Sequence, residues 1–103
     1  MGRTTFRTRA MMDMAAAFGH GARKGKRLGW GPQVAEFAED WLGTRLDAST
    51  VDYWSVRDEA LQRVYEIGSL AATLAASEGK TAIQINHLKN AIAKFTPKGY
   101  CPF

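Results

Sequence analysis

Apolar residues recur at steps of three and four along most of the chain, and the longest such run lies between Val51 and Gly79. Val51, Trp54, Leu61, Val64, Tyr65, Ile67, Leu70, Ala71, Leu74 and Ala75 keep the helical period, and no Pro interrupts them. The spacing predicts one helix of about seven or eight turns, long for a chain of 103 residues. Its second half is almost all small or apolar. Gly68, Ala72 and Ala76 lie on one stripe, where another helix can approach closely. A helix of this length cannot bury itself, so shorter helices of the chain, or a second copy, must cross it.

Shorter elements flank it. Val34, Phe37, Ala38, Trp41 and Leu42 mark the apolar face of a helix that opens at Pro32 and closes at Gly43. Residues 44–50 read as a loop, with Ser49 or Thr50 placed to cap the long helix and Asp52 to favour its positive end. Near the start, Phe6, Ala10, Met14 and Phe18 fall at steps of four and predict a first helix within Met1–Gly19. Thr4 or Thr5 caps it, and Gly19-His20-Gly21 ends it. Downstream, Ala82-Ile83-Gln84 reads as extended. Asn86 then caps a short last helix carrying Leu88, Ala91, Ile92 and Phe95. Thr96-Pro97 breaks that helix, and the aromatic tail from Tyr100 to Phe103 is placed to fold back on the body.

Charge divides the chain unequally. Residues 1–30 hold seven Lys/Arg (Arg3, Arg7, Arg9, Arg23, Lys24, Lys26 and Arg27) against Asp13, a net of +6. Residues 31–103 hold seven Lys/Arg and nine Asp/Glu, a net of −2. The predicted organisation is therefore a basic N-terminal arm with a short helix, residues 1–30, on a helical domain, residues 31–103. Arginines in the first turns of a helix oppose its dipole, which points to an anionic neighbour. A basic arm favours a polyanion such as DNA, RNA or an acidic lipid surface. The alternatives are an arm that only docks on the protein's own acidic body or on an acidic partner subunit, and an Arg-rich organelle-targeting segment. Residues 21–31 are a basic, glycine-rich linker whose cations suit phosphates; its Trp30 either stacks on a base or docks on the core.

Catalytic chemistry is not indicated. His20 and His87 stand without further ligands at metal spacing, and Glu39 and Asp40 are adjacent, so a helix points them apart. His87 reads as a loop or cap hydrogen bonder. Gly79-Lys80-Thr81 resembles the end of a phosphate loop, but Leu74 stands where that motif needs Gly. No cofactor is implied. The single Cys101 excludes an internal disulfide and suits a reducing, intracellular compartment. Cys101 is also one position short of a prenylation box. No apolar run has the length of a membrane span.

From Gly31 onward, the order of short helix, loop, long helix, loop and short helix resembles the histone fold. Lys80-Thr81-Ala82-Ile83-Gln84-Ile85-Asn86-His87-Leu88-Lys89-Asn90-Ala91-Ile92 carries the closest likeness. The resemblance implies an all-α, histone-fold-like domain that dimerises through its long helices in a handshake. Gly68, Ala71, Ala72, Ala75 and Trp54 would then form the interface. It also implies a paired-loop DNA site at Arg45, Lys80 and Thr81. The same stretch is similar to the helical lid of AAA+ ATPases, but no nucleotide-binding module accompanies it, so ATP hydrolysis is not expected. Two functions follow. One is a non-enzymatic, histone-like nucleic-acid binder without base readout, for which the resemblance implies DNA while the residues themselves leave DNA and RNA open. The other is a structural or adaptor subunit of a large assembly such as a virion, a ribosome-like particle or an organellar complex. Either makes the chain a homo- or hetero-oligomer, nucleoid- or assembly-associated.

Overall fold

A computed structural model describes residues 6–24, 28–48 and 52–95. Four helices, α1 Phe6–Ala22, α2 Pro32–Ala48, α3 Arg57–Ser77 and α4 Ile85–Phe95, are joined by two short strands, β1 Gly29–Trp30 and β2 Ala82–Ile83, and a 3₁₀ turn at Tyr53–Ser55. The protein is thus mostly helical. Among the described residues no helix is long and apolar enough to cross a membrane. Arg3, Lys26, Arg27, the caps expected at Thr4, Thr5, Ser49 and Thr50, and the tail at Tyr100–Phe103 lie outside the described residues.

α1 is a core element. Its apolar series Ala10, Met14, Phe18 and Ala22 is buried throughout, and α1 lies along α3 in the most extensive helix contact of the molecule. The expected boundary at residue 30 therefore separates no packing units, because α1 and residues 32–95 share one core. α1 also runs through Gly19-His20-Gly21, where a stop was expected. Gly21 and Gly68 face the other helix's backbone: a Cβ on Gly21 would overlap the Tyr65 carbonyl, and one on Gly68 would sit 2.5 Å from Phe18 O. The close crossing outweighs the cost of about 1 kcal/mol for Gly in a helix. α2 likewise continues past Gly43 to Ala48. Gly43 is buried there beside α1, with Arg7 Nη2 3.1 Å from where a Cβ would stand.

The expected helix from Val51 is two elements. Asp52 accepts from the Trp54 amide at 3.2 Å and from the Ser55 hydroxyl at 3.1 Å. These bonds favour a 3₁₀ turn, and Val56 (φ −120°, ψ 22°) separates it from α3. α3 ends where Gly79 takes φ +72°. The Lys80 amide bonds Ala75 O at 3.0 Å and the Gly79 amide bonds Ala76 O at 3.0 Å, a Schellman ending.

β1 and β2 pair in parallel, Gly29 opposite Ala82 and Trp30 opposite Ile83. α4 opens at Gln84, whose amide donates to His87 Nδ1 at 3.0 Å. His87 thus supplies the returning half of a capping box, and Asn86, expected as the cap, is already inside the helix. α2 reaches the bundle through α1 and α4.

Candidate nucleic-acid interface

Of the basic residues expected in the arm, the four that are described lie in two pairs at opposite ends of α1, Arg7 with Arg9 and Arg23 with Lys24. Arg9 and Arg23 are about 21 Å apart along the axis. Arg7 and Arg9 lie at the first end, where α1 meets the last turn of α2 and the 3₁₀ turn. Arg7 donates to Asp47 through Nε at 2.9 Å and Nη2 at 3.1 Å. This two-pronged bond holds the Arg7 guanidinium above, and the Asp47 carboxyl below, their ordinary pKa values. The pair is open to solvent, so it adds little stability. It does realise the alternative in which an early arginine docks on the protein's own acidic body. Arg9 lies 5.9 Å from the Trp54 ring centroid. Arg45 is half-buried in the last turn of α2, not in a loop.

At the other end, the Arg23 guanidinium lies 5.0 Å from the Trp30 ring centroid and Lys24 Nζ 5.7 Å from that of Tyr65. Both side chains stay exposed. Such cation–π contacts hold a cation over a ring while leaving it able to meet an anion. Trp30 itself docks, edge-on to Phe18 with centroids 5.5 Å apart. Lys80 and Thr81 are exposed on the approach to β2. Because the ladder is parallel, the chain enters β1 and β2 from the same end. Leu28, just before β1, and Thr81, just before β2, therefore lie at the same end of the ladder. An open cleft of about 610 Å³ at this end is lined by Arg23, Leu28, Gly29 and Trp30.

The two loop sites implied by the histone resemblance do not pair within one chain. β2 takes β1 as its partner, while Arg45 stands on α2. The small residues of the expected handshake interface are covered within the chain as well. Ala71, Ala72 and Ala75 are buried, and Gly68 is buried beneath α1. Trp54 is 38% exposed.

Several polar partners had no local signal. Arg57 Nε donates to Asp13 at 3.0 Å beside the buried Tyr53; the bond raises the arginine's pKa, and burial raises that of the phenol. Lys89 on α4 lies 5.5 Å from the Phe37 ring centroid on α2. His87 is fully buried, and its Nε2 is 3.1 Å from Glu78 Oε1, near but off the line of a hydrogen bond.

The chain matches no family model, no curated protein and no solved structure.

Proposed function

We propose that this protein is a non-enzymatic nucleic-acid binder that contacts the phosphate backbone through the basic end of its β1–β2 ladder. It is histone-like in reading charge and shape rather than bases. The observation that carries this reading is that Arg23 and Lys24 are held over the rings of Trp30 and Tyr65 while staying exposed, with Lys80 exposed on the approach to the strand that pairs with Trp30's own. Their exposure supports it, since a cation spent on phosphate must first be reachable. Because α1 fills the crossing at Gly68, the reading does not rely on a handshake between two long helices.

The test is a salt-series titration of a random-sequence duplex, comparing the full chain with Arg23→Gln/Lys24→Gln/Lys80→Gln. Removing the first 27 residues is not a usable control, because it deletes α1 from the core.

A second reading, a subunit of a larger assembly, is favoured by two other observations. Arg7 is already engaged by Asp47, and Met12 and Trp54 are large apolar side chains left exposed.

A further inference from the structure

The outward face of α1 is apolar at its centre and charged at its ends. Arg9, Met12, Ala16 and Arg23 follow one another at helical spacing on it, and all are exposed. Met12, at 63%, is the most exposed large apolar side chain among the described residues. One turn further on, beside α2, lies an apolar hollow of about 170 Å³ lined by Ala15, Phe18, Trp30, Ala38, Leu42 and Glu39. An apolar cavity of roughly 150 Å³ accepts a benzene-sized guest, so this hollow has room for one apolar side chain. α1 thus carries a protruding methionine and, next to it, a hollow of matching chemistry and size.

A protrusion and a hollow on one face are what a self-complementary, two-fold contact requires. We infer that a second copy of this chain docks here as a closed pair, Met12 of each copy entering the α1–α2 hollow of the other. Ala15 and Ala16 let the two α1 helices approach closely near the axis. The charges agree with this arrangement. Arg9 precedes Met12 by one turn, and Glu39 stands on the rim of the hollow, so each copy brings a cation to the other's carboxylate. The contact uses neither Lys24 nor Lys80, but it adjoins Arg23, whose guanidinium lies over Trp30 on the wall of the hollow.

Sedimentation equilibrium of the full chain over a wide concentration range tests the pair. The expected result is a reversible shift from 11.4 kDa to twice that mass. Met12→Glu places a charge in the hollow and is expected to raise the dissociation constant on the order of a hundredfold, close to 3 kcal/mol. Its circular dichroism stays unchanged, because the side chain is exposed in the single copy. Arg9→Glu and Glu39→Arg each weaken the pair, and the double exchange restores it, an outcome that a merely structural role for either residue would not give. A chain that stays at 11.4 kDa, a mass that climbs past two copies, or a pair indifferent to Met12→Glu overturns the inference.

Discussion

Gly68 on α3 lies directly against the carbonyl oxygen of Phe18 on α1. A methyl group at Gly68 would stand 2.5 Å from that oxygen, and Gly21 meets the Tyr65 carbonyl in the opposite sense. Two glycines thus set the depth of the main helix crossing. Neither obstacle is a side chain that can turn aside. Gly68→Ala is therefore expected to cost about 1–3 kcal/mol through overpacking, despite alanine's better helix propensity. Urea denaturation measures it. Gly29→Ala, where a Cβ meets nothing within 4 Å, is the control and changes stability little. Equal midpoints for the two variants would contradict the crossing described.

His87 links the start of α4 to the end of α3. It is fully buried, and its Nδ1 accepts from the Gln84 amide. His87→Ala removes that bond and opens a cavity, so a loss of roughly 2–4 kcal/mol is expected. Thermal unfolding reads it as a drop of about 4–8 °C per kcal/mol for a domain of this size. Asn86→Ala, inside the helix rather than at its cap, should change the melting temperature far less.

Asp47 engages Arg7 at the surface. Asp47→Asn is expected to leave the melting temperature nearly unchanged, since the pair is exposed. Duplex binding and its salt dependence should change little as well, because Arg7 stands at the end of α1 opposite Arg23 and Lys24. Acid breaks the same pair. The Asp47 pKa is depressed in the folded protein, so the pair's contribution is present above the carboxyl's ordinary value, about 4, and is lost as pH falls through the lower folded value. A large melting shift would contradict the exposure of the pair, and a steeper salt slope would place Arg7 among the phosphate contacts.

The helical periods were legible, and so was burial within them, because i, i+4 series such as Ala10, Met14 and Phe18 report one face whatever covers it. The ends of helices were less so. Gly19, Gly21 and Gly43 read as stops by local propensity but lie inside helices; at Gly21 the crossing backbone of α3 leaves no room for a side chain. The start of α3 was hidden for the opposite reason: Asp52 builds a 3₁₀ turn from side-chain bonds that apolar spacing does not register. The β1–β2 ladder joins two-residue strands more than fifty positions apart, and so has no local signature. The basic residues were visible as a group. Their division between the two ends of α1, and the capture of Arg7 by Asp47 forty positions away, are products of the fold alone.

Placement beside the β1–β2 ladder makes a further distinction among the cations. Lys80→Gln should weaken binding to all duplex sequences alike and reduce the salt slope by about 1. Lys89→Gln, on the α4 face over Phe37, should leave the slope unchanged. A gel-shift series on two unrelated sequences separates these outcomes, and a preference for one sequence would argue against backbone recognition.

The central claim is that Arg23, Lys24 and Lys80 act together on phosphates. It is tested most directly by the slope of log affinity against log salt for a random duplex, measured with the native chain and with all three changed to Gln. The account predicts a steep slope for the native chain and one shallower by roughly 2–3 ions for the variant, with both proteins equally folded. Equal slopes, or no binding by the native chain at low salt, would contradict it.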